Sequence, residues 1–130
     1  MQSLKKEVII PKGGSKPLGP YSPGIRAGNF VFPTGQIGLD PATGKLVEGG
    51  IKAETHQALT NLKAVLEAAG SGMDQVVKVT VFFNDLDDYS AVNEVYATFF
   101  QEDPPARSAF QVVKLPIGAL VEIEAIALVG

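Results

Sequence analysis

The chain contains no cysteine. That absence removes disulfides, thiolate nucleophiles, CxxC redox motifs and cysteine zinc sites at one stroke. A single histidine, His56, leaves little for a histidine metal cluster or a Ser-His triad to use. No block of Lys or Arg occurs and the net charge is -3, so the electrostatic footprint of a nucleic-acid binder is missing and nucleic acid is not an expected partner. No apolar run approaches the roughly 20 residues that a membrane span needs. Residues 1–7 carry two lysines and an early Glu7 but no signal-peptide core. The expected compartment is the cytoplasm, with the mitochondrion as the alternative for a eukaryotic chain. Whatever chemistry occurs must run on carboxylates, Arg, Lys, Tyr, hydroxyls and backbone.

What is present suits one globular domain over residues 1–130, with 45% hydrophobic and 19% charged residues. Glu7 to Ile10 reads as a short strand stopped by Pro11. Residues 12–24 are dense in Gly and Pro and predict an irregular loop. Its one aromatic, Tyr21, is either an anchor for the loop or a phenol held over a pocket. Ile25–Ala27 and Phe30–Phe32 form a hairpin across Gly28-Asn29. Gly35 then interrupts a strand, which marks a bulge or a close approach to the backbone. Asp40 to Gly44 reads as a turn. Ile51, Thr55, Ala58, Leu59, Leu62, Val65, Leu66 and Ala69 recur at helical spacing before a Gly70 stop. His56 falls on the opposite, polar face with Lys52, Thr60, Lys63 and Glu67.

Val76 to Phe83 is apolar on both faces, as a central strand is. The acids of the following Asn84-Asp85-Leu86-Asp87-Asp88 open a second helix. It carries Tyr89, Val92, Tyr96, Phe99 and Phe100 on one face and is expected to continue to Pro104-Pro105. Asn93 falls on that same side, either as a satisfied packing residue or as a substrate contact. Two more strands follow, separated by Leu115-Pro116-Ile117-Gly118. Arg107 stands at the entrance to the first. Glu122 and Glu124 interrupt the second on one face, while Val121, Ile123, Ala125 and Ala127 occupy the other. A carboxylate within an apolar strand needs a partner, and Arg107 is the nearest candidate. The order of elements predicts an α+β domain in which two helices cover one face of a six-stranded mixed sheet. Phe30, Phe32, Ile123 and Ile126 add more apolar surface, and two helices hardly cover both faces, so another copy of the chain is expected to cover the second.

Several segments together resemble one family. They are Gly19-Pro20-Tyr21-Ser22, Thr34-Gly35-Gln36-Ile37, Val76-Val77-Lys78-Val79-Thr80-Val81-Phe82, Val92-Asn93, Pro105-Ala106-Arg107-Ser108, Leu115-Pro116 and Val121-Glu122-Ile123-Glu124-Ala125-Ile126-Ala127. In this order they are similar to the reactive intermediate deaminases, the RidA, YjgF or L-PSP family. The resemblance implies a chorismate-mutase-like fold and a homotrimer whose sheets form a central barrel, with clefts between subunits. It also implies hydrolysis of short-lived enamines and imines, 2-aminoacrylate and 2-aminocrotonate, released by PLP-dependent dehydratases. On the family pattern Arg107 grips the substrate carboxylate with backbone at Thr34 and Gly35, a task its planar fork suits. Glu122, rather than Glu124, handles the water, although alternation alone does not choose between them. Tyr21 and Asn93 line the cleft, and no metal, flavin or PLP is implied. Many members have Cys where this chain has Ala109, whose backbone carbonyl would hold the water without any thiol chemistry. The short loop carrying Pro104-Pro105 reshapes the cleft rim. Two other readings compete: an endoribonuclease, which the acidic balance and exposed His56 disfavour, and a non-catalytic trimer that binds small carboxylates.

Overall fold

The alternating pattern near the C-terminus lies at the centre of a six-stranded sheet in the computed structural model of the chain, which describes residues 5–14 and 16–130. Residues 1–4, within the segment read for targeting signals, and Ser15, in the Gly/Pro-rich loop, lie outside the described residues. β1 (Lys6–Ile9), β2 (Gly24–Ala27) and β3 (Phe30–Pro33) form an antiparallel meander. Gly28 takes φ 58 in the two-residue turn between β2 and β3, a backbone that favours glycine. α1 (Ile51–Ala68) ends where the sequence signals it. Gly70 has φ 83, and the Ser71 N–H returns 2.8 Å to the Leu66 carbonyl, which satisfies the last turn.

β4 (Val76–Phe83) and β5 (Ala106–Gln111) pair in parallel, so they need a crossover, and α2 (Tyr89–Phe99) supplies it. The Asp85 carboxylate accepts from the Asp87 N–H at 2.9 Å and caps the turn that leads into α2. α2 does not continue to Pro104. It stops at Phe99 because Phe100 leaves helical geometry to bury its ring against Tyr96, with centroids 4.6 Å apart. β6 (Val121–Leu128) inserts between β3 and β4, completing the order β1-β2-β3-β6-β4-β5.

Burial along β6 alternates without a break: Val121, Ile123, Ala125 and Ala127 are buried, and the residues between them are not. With Val79, Val81, Phe83 and the apolar stripes of both helices they make the main core. Ile123 is fully buried there, on the face that alternation assigns to it opposite Glu122. That second face presents Phe30, Phe32, Ile126, Leu128 and Phe110, most of them substantially exposed. Among the described residues no helix is long and apolar enough to cross a membrane. Leu62 has no exposed surface and sits in the main core. Leu62→Ala is therefore expected to cost about 2–5 kcal/mol in denaturant unfolding, through lost transfer energy and the cavity left behind.

Candidate active site

β3 leaves the ladder at Pro33, and the chain rejoins β6 at Gln36, whose N–H and carbonyl both bond Ile123 at 2.8 and 2.9 Å. Val31 pairs with Ala127 and Gln36 with Ile123, so this side carries one residue more than β6 does. The extra residue is a bulge. It lays Gly35 directly over the side chain of Glu122: a Cβ at Gly35 would collide with Oε2 and come within 3.2 Å of Cγ. Gly35 is thus both the bulge and the close approach, and it is needed for space.

Glu122 is half-buried and forms no ion pair; among the described residues the ion pair present is Lys52–Glu94, at the surface. Burial pushes its carboxyl above the ordinary range, and the neighbouring Glu124 charge pushes the same way. The carboxylate faces a cavity of about 90 Å³ lined by Leu18, Tyr21, Thr34, Gly35 and Pro116. Glu124 shares the sheet face but is exposed and faces a different depression, beside Phe32, Lys78 and Thr80. Tyr21 combines both roles open to it: its hydroxyl accepts from the Leu18 N–H at 2.9 Å, and its ring lines the cavity.

Arg107 lies elsewhere. It pairs in register with Val79, a fully buried residue of the helix face, whereas Glu122 pairs with Phe82 on the open face. β4 separates the two strands. An Arg107–Glu122 pair within one chain is therefore ruled out by register and by face. Arg107 instead donates from Nη2 to the Tyr89 hydroxyl at 2.9 Å, and its guanidinium lies 4.7 Å from the centroid of Tyr96 and 5.4 Å from that of Tyr89. Two aromatic faces hold a cation without neutralising it, so its charge stays available. Burial raises the Tyr96 phenol while the Arg107 charge pulls it back.

Asn93 lies on α2 beside this cluster in the chain, and its Oδ1 and the Tyr96 hydroxyl are buried with no partner. Unpaired buried polar atoms are rare in folded proteins. Ala109 packs its methyl against the main core, which leaves only its main chain available. Helical spacing puts Tyr89 and Tyr96 on the apolar side of α2, and in the structure they hold Arg107. Two hydroxyl-bearing rings two turns apart, next to a strand carrying an arginine, were the available signal. His56 is exposed on α1, its ring against Phe99. Among the described residues no group of three or more acidic or histidine side chains is arranged to hold a metal.

A six-stranded mixed sheet with two helices on one face and a glycine-seated carboxylate on the other defines a class of small α+β proteins. Residues 13–129 match the family described as Endoribonuclease L-PSP, and the chain belongs to that family, also known as RidA or YjgF. A RutC family protein of Pyrococcus horikoshii is 54% identical over 94% of this chain and 97% of its own length. The 2-iminobutanoate/2-iminopropanoate deaminase of Mus musculus is 46% identical over 100% of this chain and 96% of its own. The crystal structure of E. coli TdcF with bound serine superposes with a TM-score of 0.90 at 38% identity, covering 95% of this chain and 99% of that one.

Two outcomes follow from the Gly35–Glu122 contact. Gly35→Ala should displace the carboxylate and empty the cavity of its acid while thermal unfolding stays near that of the parent, because the backbone there is not left-handed. Glu122 has a raised folded-state pKa, so its contribution to stability is present at low pH and is lost as pH rises through that pKa. Glu122→Gln should accordingly be more stable than the parent at neutral pH, with the gain fading below the ordinary carboxylate value of 4.5. Denaturant unfolding at several pH values reads this directly.

Proposed function

We propose that the chain is an imine and enamine deaminase, a hydrolase that converts 2-aminoacrylate, 2-aminocrotonate and their 2-imino tautomers to 2-keto acids and ammonia. The observation that carries this reading is the half-buried, unpaired Glu122 carboxylate seated against Gly35 in a small cavity. Burial raises its pKa above the ordinary carboxylate range, which makes it a better proton acceptor than a free carboxylate. The names of the mammalian relatives point to the same reaction.

In this reading Arg107 binds the substrate carboxylate with two parallel hydrogen bonds, aided by backbone at Thr34 and Gly35. Ionised Glu122 takes a proton from a water held by the Ala109 carbonyl, and the water oxygen bonds to the imine carbon. The C=N electron pair moves to nitrogen and Glu122 returns the proton there, which gives a carbinolamine. Glu122 then takes the hydroxyl proton and passes it to the nitrogen, and the oxygen lone pair forms the keto C=O as the C–N bond breaks and ammonia leaves. Tyr21 and Asn93 line the cleft, and no cofactor is needed. Arg107 and Glu122 lie on opposite faces of one sheet, so the Arg107 that serves a given Glu122 comes from a neighbouring copy. A homotrimer packing its open sheet faces into a barrel supplies that neighbour and covers Phe30, Phe32 and Phe110. The expected location is the cytoplasm or mitochondrion, beside the dehydratases that release such intermediates.

Coupling the protein to a threonine dehydratase and following early 2-ketobutyrate release tests the reading. The parent should accelerate release; no acceleration overturns the proposal. Arg107→Ala should lower kcat/KM on the order of a hundredfold or more, the loss expected on removing one partner of a close charge pair. Glu122→Gln should lower kcat by about 10²–10⁴-fold, the usual worth of a positioned general base. The parent rate should fall on acidification through a pKa above the ordinary carboxylate range. Light scattering should report a trimer. An endoribonuclease, the word in the family description, would instead degrade RNA, and retain that activity in Glu122→Gln if His56 served as its base.

A further inference from the structure

We infer that Glu54 is a positioning residue that fixes the two walls of the Glu122 cavity relative to each other. The inference rests on the reading of that cavity as the place of hydrolysis. An acid in the first turn of a helix is ordinarily a solvated partner of the helix dipole. Glu54 occupies that turn of α1 yet is only 6% exposed, so it is committed to the interior.

Its contacts run to both walls. Oε1 accepts from the Leu120 N–H at 2.9 Å. Leu120 is the residue before β6, and Glu122 follows two positions later. The Leu120 carbonyl in turn accepts from the Asn84 N–H at 3.0 Å, so the start of this strand is clamped from both sides. The backbone of Glu54 abuts Gly38: a Cβ there would stand 2.8 Å from its Cα and 2.9 Å from its carbonyl oxygen. Gly38 continues the stretch through Thr34 and Gly35 that forms the other wall. Beneath the cavity Ile37 and Leu39 of that stretch bury with Ala119 in a cluster of their own, separate from the main core.

One turn of helix therefore bears on the stretch that carries Gly35 and on the strand that carries Glu122. The Gly35–Glu122 contact has no slack in it. Removing Oε1 leaves the Leu120 N–H to water or forces the turn to move, and either outcome lets Glu122 shift from its seat. The contact on Gly38 is made by Glu54 backbone and survives in side-chain variants, so the Thr34–Gly35 wall stays in place, as does the substrate-gripping Arg107 of the neighbouring copy. The effect belongs in turnover and in the titration of Glu122, with substrate affinity spared. Among the described residues Lys16 and Tyr21 are the charged and titratable groups that line the same cavity, and Glu124, two positions on along the strand, acts on Glu122 through its charge.

Three variants and two readouts test this. Glu54→Ala should lower kcat by on the order of tenfold to a hundredfold, the scale of a small misplacement, with KM held within about twofold of the parent. By ¹³C NMR of the Glu side-chain carboxyls it should move the Glu122 titration toward the ordinary range. Glu54→Gln keeps an acceptor for Leu120 and should recover both readouts. Glu54→Asp keeps a carboxyl group but falls short of Leu120, should behave as alanine does, and serves where the alanine variant fails to fold. An unmoved Glu122 titration in both alanine and aspartate variants overturns the role, as does a glutamine variant impaired as deeply as alanine. A parent protein without deaminase turnover would defeat the functional reading alone, and the Glu122 titration would still decide the role of Glu54.

Discussion

The architecture depends on one contact, between a residue with no side chain and a carboxylate with no cation. A half-buried carboxylate pays for its lost hydration unless charge or hydrogen bonds replace it. Glu122 receives neither from the described residues, and its pKa rises as a result. The bulge at Gly35 follows from that contact, since the strand must bend over the acid and leave it room. The packing of α1 on Gly38 and the clamp on Leu120 follow too, since both keep the bend and the acid in register.

Arg107 is held in the opposite way. Its charge is met by aromatic faces and one hydroxyl, which keep it in place without a counter-carboxylate. Among the described residues the fold therefore keeps an acid and a base unpaired on two sides of one sheet. Had the register brought them together, they would have neutralised each other and left nothing for a substrate. On the proposed reading the separation is closed only by a neighbouring copy, so the exposed apolar face and the incomplete site answer to the same assembly.

Much of this was legible in the sequence. The alternation in Val121 to Leu128, the stripe from Ile51 to Ala69 with its Gly70 stop, and the Gly28-Asn29 turn each carry their own period or turn chemistry, and each element forms where that chemistry places it. Gly35 and Tyr21 announced themselves as exceptions to local rules. What was not legible depends on contacts between distant segments. The end of α2 was misplaced because Phe100 answers to a core pocket and not to the prolines that follow. The burial of Glu54 depends on the N–H of Leu120, far away in the chain, and a lone acid in a helical first turn gives no hint of it.

The strand at the centre of the sheet is also the last of the six in chain order. Until β6 arrives, the β1–β3 meander and the β4–α2–β5 unit have no ladder joining them, although each can form from pairings close in sequence. Joining them requires closure of long loops, the slow entropic step of such topologies. The strand that closes the sheet carries Glu122. The core and the seated carboxylate are therefore completed by the same event, the entry of β6 between β3 and β4.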